Sequence, residues 1–309
     1  MKATISLLLM IFQLQIHGQS FTENPVEIGA LKGTLSVPAG ETNTAILLIA
    51  GSGPTDRNGN SALGLNNNSL KMVAHQLTEA GYAVLRYDKR GIAASKAAVV
   101  DPVAIRFNHF VNDAKSWLTL LSNEGYGNLI IVGHSQGSLV GILAAQDNKN
   151  VKAFVSLAGL GEDAGEAIVR QLGIQSPVWA EDARINIDSM KAGYTITKFN
   201  PYLISIFGPV IQPFLRSYIA YTPAEELKKL DIPVLIINGT TDLQVDQNQA
   251  NSLKEAYSSG KLLIIDGMNH VLKDAPENDL AANAATYNNP ELPLSDGLIT
   301  GILQFIDKL

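Results

Sequence analysis

Cysteine is absent from this chain of 309 residues, so neither a disulfide nor a thiolate nucleophile is available to it. A lipid-modified N-terminal cysteine is excluded for the same reason. The fold must therefore be stabilised by the burial of apolar side chains. At 46% hydrophobic residues, the chain has enough of them for a substantial core.

An excess of positive charge is also lacking. The chain has 23 Lys and Arg against 29 Asp and Glu, which gives a formal net charge of −6, and its basic residues form no long runs. No nucleic-acid partner is therefore predicted. The glycine-rich segment at 51–54 lacks the Lys of a phosphate-binding loop, and we predict no cofactor and no metal.

No hydrophobic run is long enough for a confident membrane span, but a mostly apolar stretch at 5–16 follows one Lys and precedes small and polar residues. This pattern predicts a secretory signal peptide at 1–19, with cleavage near Gly18 or Gln19. Export without cysteine suggests a periplasmic or secreted bacterial protein. Because Gln13 and Gln15 weaken the apolar stretch, an uncleaved amphipathic anchor is the alternative.

Short apolar runs recur along the chain and alternate with helix-like segments. A loosely alternating segment at 26–38 predicts an edge β-hairpin. Continuous apolar strands separated by helices indicate a parallel sheet covered on both faces. We therefore predict an α/β fold with a mostly parallel, eight-stranded sheet flanked by helices, within one domain at 20–309. The other strands are predicted at 45–50, 83–87, 129–132, 153–157, 234–237 and 262–265, and helices at 69–80, 110–124, 246–258 and 296–309.

The interval at 160–228 contains no convincing strand but has several helical stretches. An insertion after the sixth strand would lie above the carboxyl ends of the parallel strands, where open α/β sheets bind ligands. We predict a helical lid here, with an ordinary packing layer as the alternative. A polar segment at 275–293 is expected to be a surface loop. The aromatic residues of the insertion are Trp179, Phe199, Tyr202, Phe207, Phe214, Tyr218 and Tyr221.

The pentapeptide Gly-His-Ser-Gln-Gly at 133–137 joins an apolar strand to a helical segment. A strand that enters a helix through GxSxG turns so sharply that the serine hydroxyl projects above the sheet. Ser135 is therefore the candidate nucleophile. The alternative is an ordinary turn in which Ser135 satisfies a backbone amide near the helix start.

A serine nucleophile needs a base, and the chain has five histidines to choose from. His17 lies in the leader, His75 and His109 lie in or at predicted helices, and His134 precedes the nucleophile in the turn. His270, on the loop after the eighth strand, is the remaining candidate. An acid should follow the seventh strand, where Asp242 lies nearer the strand end than its competitor Asp246, which resembles a helix N-cap.

A tetrahedral intermediate also needs hydrogen-bond donors for its oxyanion. The backbone amide of Gln136 at the helix start is one candidate. The other is expected in the turn after the third strand, where Ser52 is best placed by register. The order Ser, Asp, His along the chain is the one found in α/β-hydrolases.

Five segments in this order resemble the α/β-hydrolase superfamily, and the likeness extends from about residue 27 to the C-terminus. More narrowly, the chain is similar to bacterial hydrolases grouped with S33-type serine aminopeptidases and with short-chain and cinnamoyl esterases. The resemblance implies the α/β-hydrolase fold, a catalytic triad of Ser135, Asp242 and His270, and oxyanion donors at Ser52 and Gln136. The segments lie at 51–59, 86–91, 133–137, 238–245 and 268–270.

The chain departs from these relatives at two positions. It has Ala50-Gly51 where many carry His-Gly before the oxyanion residue, and Ala93 where a second glycine is usual. Neither change removes a catalytic group, but substrate preference cannot be transferred. Four charged residues in the matching segments are expected to pair with each other and to brace the loops. They are Asp56, Arg57, Asp88 and Arg90.

These residues predict an exported serine hydrolase that cleaves a small-molecule carboxylic ester through an acyl-enzyme. An S33-like aminopeptidase is the first alternative and needs a carboxylate for the substrate's amine. A thioesterase or acyltransferase on the same site, and a catalytically silent binding protein, are the others. The oligomeric state, the acyl group and the leaving group stay open. The candidate carboxylates are Glu162, Asp163, Glu166, Glu181 and Asp182.

Overall fold

The computed structural model describes residues 21–309. The predicted signal peptide at 1–19 lies outside the described residues. No helix of the described part is long and apolar enough to cross a membrane.

Eight strands form one sheet, with the spatial order β1-β2-β4-β3-β5-β6-β7-β8. The hairpin of β1 and β2 is antiparallel, as is the pairing of β2 with β4, and the remaining pairings are parallel. The predicted mostly parallel, eight-stranded sheet is confirmed. The strands are Phe21–Ile28 (β1), Leu31–Pro38 (β2), Thr44–Ile49 (β3), Ala83–Tyr87 (β4), Asn128–His134 (β5), Val151–Leu157 (β6), Val234–Gly239 (β7) and Lys261–Ile265 (β8).

Helices cover both faces of this sheet. Three short 3₁₀ segments at Ala93–Ala98, Pro102–Ala104 and Pro201–Leu203 complete the regular structure of the described residues. The α-helices are Ser69–Glu79 (α1), Phe107–Asn123 (α2), Gln136–Ala145 (α3), Ala164–Gln175 (α4), Pro177–Lys191 (α5), Ile204–Phe207 (α6), Gln212–Tyr218 (α7), Pro223–Leu227 (α8), Gln247–Ala256 (α9), Leu280–Thr286 (α10) and Leu298–Ile306 (α11).

The core is divided by the sheet into two apolar layers. In β3, Leu47 and Ile49 pack into the layer that contains α2 and α3, whereas Ile46 and Leu48 pack into the layer that contains α1 and α11. This alternation follows from the two-residue period of a strand, and both sets are fully buried because helices cover both faces. The central strands therefore hold their carboxyl ends at fixed positions along one edge.

Five helices, α4 to α8, are inserted between β6 and β7. Their position agrees with the strand-free interval predicted at 160–228. The longest pair, α4 and α5, pack against each other, and buried side chains of the insertion such as Ile187 and Phe207 belong to the same apolar layer as α2 and α3. The insertion is thus packed onto the body of the domain.

The segment at 275–293, expected to be a surface loop, contains helix α10. Asp279 caps this helix by accepting a hydrogen bond from the amide of Ala282 at 2.9 Å. The alanine-rich sequence that follows favours a helix. The expectation of a loop was wrong because the flanking Pro and Asn residues are turn formers, which hides so short a helix.

Candidate active site

The turn between β5 and α3 places Ser135 in a conformation that non-glycine residues rarely adopt, with φ 53° and ψ −122°. Two glycines make the turn possible. A Cβ on Gly133 would lie 2.3 Å from the carbonyl oxygen of Gly137, and one on Gly137 would lie 2.4 Å from that of Ile49. The close approach of these backbones leaves the hydroxyl of Ser135 at the carboxyl end of the sheet, partly accessible.

The structure brings Ser135, His270 and Asp242 into one hydrogen-bonded series. The Nε2 atom of His270 lies 3.1 Å from the Oγ of Ser135, and its Nδ1 atom lies 2.8 Å from an oxygen of Asp242. A carboxylate only accepts, so Nδ1 donates to Asp242 and Nε2 is left to accept from the serine hydroxyl. This tautomer is the one that can take a proton from Ser135.

The carboxylate of Asp242 is held by its own loop. Its second oxygen accepts hydrogen bonds from the amides of Gln244 at 2.8 Å and Val245 at 2.9 Å. The competing acid, Asp246, caps α9 through the amide of Asn248 and lies 3.4 Å from Arg170. Of the two carboxylates considered from the sequence, only Asp242 contacts the imidazole.

Two backbone amides next to Ser135 are available to an acceptor. Gln136 is the first residue of α3, and a first-turn amide has no partner within its helix. Among residues 21–309, the amide of Ser52 donates to no other group. Ser52, Ser135 and Gln136 line the same cavity, so the structure brings together the two residues predicted as donors and the predicted nucleophile.

The loop that carries His270 is braced by buried amide side chains. Asn269 accepts hydrogen bonds from the amides of Val271 and Lys273, both at 3.1 Å, and donates to Thr286 at 2.7 Å. Asn283 of α10 donates in turn to the carbonyl of Thr241, next to Asp242. The helix missed from the sequence therefore ties the two loops of the site to each other.

His134, the residue before the nucleophile, is buried against His270. Its Nε2 atom donates to the carbonyl of His270 at 2.8 Å, and the two rings are 4.9 Å apart. Burial, aided by the neighbouring charges of His270 and Lys89, lowers the pKa of His134 to about 3. This histidine is therefore a neutral donor that helps fix the position of the His270 loop.

Three cavities lie around the candidate nucleophile: Gly53 lines all three, and Ser135 and Ser52 line two of them. The large cavity, about 560 Å³, lies between the segment at 89–105 and helix α7. The middle cavity, about 340 Å³, lies under α4, α6 and α7 and is lined by Ser135. The small cavity, about 230 Å³, is lined by Ser135 and His270 on one side and by Asn67 and Tyr287 on the other.

Two of the aromatic residues named from the insertion line these cavities, namely Phe214 and Tyr218. The other five do not. Phe207, for example, is fully buried in the core, and Tyr202 is 80% exposed on the surface. The expected contact between the insertion and the pocket is thus made chiefly by α4 and α7.

The expectation that four charged residues pair with each other holds for one pair. Arg57 and Asp88 lie 2.7 Å apart and are mostly buried. Arg90 instead pairs with Asp113 of α2, and Asp56 accepts from the amides of Asn58 and Asn60 within its own turn. The expectation was wrong for these two residues. The charge of Arg90 is satisfied by a partner on a distant helix, and that of Asp56 by backbone amides of its own turn.

Several polar residues next to the site could not be predicted from the sequence. Lys89 is buried, and its Nζ atom donates to the carbonyl of Gly51. Tyr287 accepts a hydrogen bond from Gln244 at 2.9 Å and lines the small cavity. The one sequence feature that pointed to either residue was the position of Lys89 within 86–91, one of the segments that carry the family resemblance. Within residues 21–309, no group of three His, Asp or Glu side chains is arranged to hold a metal.

Two sequence comparisons relate the chain to known hydrolases. Residues 64–179 match the model of a family described as serine aminopeptidase, S33. The esterase EstD of Thermotoga maritima is 27% identical over 271 residues, which cover 83% of this chain and 61% of the esterase. The chain thus spans about 61% of the length of this curated relative.

Solved structures of low sequence identity share the fold. An esterase from Pyrococcus furiosus is 13% identical, with a TM-score of 0.58 and 97% of this chain and 95% of that one covered. Est1E from Butyrivibrio proteoclasticus, solved with ferulic acid bound, is 17% identical, with a TM-score of 0.57 and coverages of 92% and 99%. The predicted α/β-hydrolase fold is confirmed.

The depressed pKa of His134 predicts a loss of stability in mild acid. The unfolded chain binds a proton near pH 6.5, whereas the folded protein resists protonation until about pH 3. The contribution of neutral His134 to the free energy of unfolding is therefore fully present above pH 6.5. It falls by up to about 1.4 kcal/mol for each pH unit below that value.

Urea unfolding of wild type and His134→Gln at pH 7, 6, 5 and 4.5 checks this expectation. Gln keeps an amide donor for the carbonyl of His270 but does not titrate. The advantage of the wild type over the variant should shrink steadily below pH 6.5. A difference in unfolding free energy that is independent of pH would contradict the assignment of His134 as a neutral buried donor.

Proposed function

We propose that this chain, which has the α/β-hydrolase fold, is a serine hydrolase that cleaves carboxylic esters through an acyl-enzyme. The observation that carries this proposal is the hydrogen-bonded series from Ser135 through His270 to Asp242. A distant likeness to an esterase supports it. We also propose that the protein is exported.

In the first half of the reaction, the Oγ of Ser135 attacks the ester carbonyl and its proton passes to Nε2 of His270. Asp242 stabilises the imidazolium that forms and keeps the ring in the productive orientation. The same proton then passes to the leaving alkoxide, which departs as an alcohol. The short reach from Oγ to Nε2, 3.1 Å, is within the range for a direct proton transfer.

The negative charge that develops on the carbonyl oxygen is stabilised by the amides of Ser52 and Gln136. Donors of this kind are each worth about 3 kcal/mol in the barrier. In the second half, His270 takes a proton from water, the resulting hydroxide attacks the acyl-enzyme, and Ser135 recovers its proton as the acid is released. A thiol ester or an acceptor alcohol could enter the same cycle.

An ester is favoured over an N-terminal peptide because no carboxylate lines any of the three cavities within the described residues. An aminopeptidase needs such a group to bind the substrate's ammonium. Two of the candidate carboxylates are engaged elsewhere: Glu166 pairs with Arg184 at 2.5 Å, and Glu162 pairs with Arg170 at 2.9 Å. The S33-type aminopeptidase stays the second candidate because of the family match.

We expect Asp242→Asn to lower kcat/KM for p-nitrophenyl esters by about 10³ to 10⁴, since the amide favours the wrong tautomer of His270. Asp246→Asn is the matched control. It keeps a residue that caps helices well, so its kcat/KM should stay within about threefold of wild type. Initial rates at saturating and limiting ester concentrations measure both.

Ser135→Ala is the inactive control, and it tests whether the protein is an enzyme or a catalytically silent binding protein. Its turnover should be indistinguishable from that of buffer, and a fluorophosphonate probe should label wild type but not the variant. Wild-type turnover in Ser135→Ala would exclude the proposed nucleophile. A second series with aminoacyl anilides tests the peptidase, which alone should require the substrate's free amine.

A further inference from the structure

The three cavities differ in which member of the catalytic series they contain. The small cavity is lined by Ser135 and His270, whereas the middle cavity is lined by Ser135 and Gln136 and does not include His270. Since His270 must give a proton to the leaving oxygen, the alcohol part of an ester has to lie on its side. The small cavity is therefore the leaving-group side, and the middle cavity is the acyl side.

The leaving-group side is small and carries hydrogen-bonding groups. Tyr287 accepts from Gln244 at 2.9 Å, and burial raises the pKa of its phenol to about 12. Its hydroxyl therefore keeps a proton at neutral pH that is free to be donated to a ligand. Asn67 and Ser69 line the same space of about 230 Å³. Such a cavity suits a short alcohol with further hydroxyl groups.

The acyl side is larger, with a mixed lining near Ser135 and an apolar far part. The middle cavity continues into the large cavity, because Gly53, Gln136, Ile211 and Phe214 line both. Their volumes, about 340 and 560 Å³, are of the size that holds a drug-sized ligand. Aliphatic and aromatic side chains dominate the far wall, which includes Ile105, Val99, Pro102 and Phe110.

Three cations border the large cavity, and the side chains of two of them already have partners. Arg90 pairs with Asp113, and Lys89 donates to the carbonyl of Gly51. The third, Lys96, lies exposed at the surface. The wall that faces the interior of the large cavity thus offers apolar contact rather than an anion site.

We propose that the substrates are esters of a bulky apolar acid with a short, hydroxylated alcohol, the acyl group lying in the middle and large cavities and the alcohol beside Tyr287. This inference rests on the proposed function. It divides the ester between the two sides of Ser135 by the position of the proton donor and by the apolar wall of the large cavity.

Four esters test both halves of this inference: p-nitrophenyl acetate, p-nitrophenyl decanoate, ethyl decanoate and glyceryl monodecanoate. We expect kcat/KM for the decanoyl p-nitrophenyl ester to exceed that for the acetyl ester by at least tenfold. The glyceryl ester should likewise be preferred to the ethyl ester. In Ile105→Trp, which narrows the large cavity, the decanoyl-to-acetyl ratio of kcat/KM should fall at least tenfold.

Tyr287→Phe tests the alcohol side. The ratio of its kcat/KM for the glyceryl ester to that for the ethyl ester should fall about tenfold, because one hydrogen bond to the alcohol is lost. If all four esters are inert with wild type, the proposed function fails. If they are cleaved but wild type prefers acetate, or the two ratios do not change in the variants, the substrate assignment fails and the hydrolase stands.

A second observation concerns Lys89, which is 4% exposed and ends at the carbonyl oxygen of Gly51. No carboxylate of residues 21–309 forms an ion pair with it, and burial lowers the pKa of Lys89 to about 7. Burial of a cation without an anion is costly. The placement of Lys89 next to the nucleophile therefore calls for a reason other than stability.

The peptide unit that Lys89 binds also carries the amide of Ser52. A trans peptide is planar, so its carbonyl and its N–H point in opposite directions. Gly51 lies so close to the nucleophile that a Cβ there would be 3.1 Å from the Cβ of Ser135. A glycine also rotates more freely than other residues, so this peptide needs an external anchor.

We infer that Lys89 is a positioning residue of the oxyanion site: by holding the carbonyl of Gly51, it directs the amide of Ser52 toward the oxygen of the tetrahedral intermediate. This inference also rests on the proposed function. It assigns Lys89 no hydrogen bond to the substrate and no proton transfer.

A trifluoromethyl ketone distinguishes positioning from mere packing. Ser135 adds through Oγ to the ketone carbon, its proton passes to His270, and the carbonyl π electrons become an oxyanion that needs the two amides. Decanoate, the product, forms no such adduct. In Lys89→Met, we expect affinity for decyl trifluoromethyl ketone to fall at least 30-fold relative to decanoate, with kcat lowered to match and KM within about threefold.

Lys273→Met is the matched control, because Lys273 is also buried and donates to a backbone carbonyl, that of Leu292. The ratio of its affinity for the ketone to its affinity for decanoate should equal that of wild type, even if its melting temperature falls. Should Lys89→Met not fold, Lys89→Arg replaces it and should keep the wild-type ratio, because a guanidinium also donates to Gly51.

If Lys89→Met weakens the affinity for the ketone and for decanoate equally, or weakens neither affinity, the positioning role is contradicted. The role is also contradicted if Lys89→Arg folds but binds the ketone more weakly than wild type while its affinity for decanoate is unchanged. Wild type that binds no ketone at all would instead contradict the proposed function.

Discussion

The backbone of Ser135 is the constraint on which the rest of the site depends. Holding a non-glycine residue at φ 53° costs about 1 to 3 kcal/mol, and it persists because the surrounding backbone leaves no alternative. Gly133 and Gly137 allow β5, β3 and α3 to approach within contact distances that no Cβ would tolerate. This one turn presents the hydroxyl and, one residue later, the free amide of Gln136.

Around this turn, loops from distant parts of the chain pack apolar side chains such as Met268 and Leu272 into the core, and buried polar bonds set their orientation. Asp242 is held by two amides of its own loop, the His270 loop is held by Asn269, and Asn283 connects the two. Lys89 holds the peptide at Gly51 in the same way. Each bond fixes an orientation, which is what proton transfer and oxyanion binding need.

The sequence was sufficient for features that local pattern determines. Apolar runs gave the strands, and GxSxG placed Ser135 at a strand end because its glycines act on their immediate neighbours. Partners far apart in the chain were not predictable in this way. Arg90 pairs with Asp113 and Lys89 with Gly51 because the sheet brings them together, and α10 was hidden by turn-forming neighbours. The pocket-lining residues of the insertion also depend on how its helices pack.

The central claim is that Ser135 carries the acyl group during turnover. Wild-type protein mixed with p-nitrophenyl decanoate and quenched in acid within the first turnover should show, by mass spectrometry, one decanoyl group on the peptide that contains Ser135. The adduct should decay as decanoate is released. Release of p-nitrophenol without any adduct, or an adduct on another residue, would contradict the account.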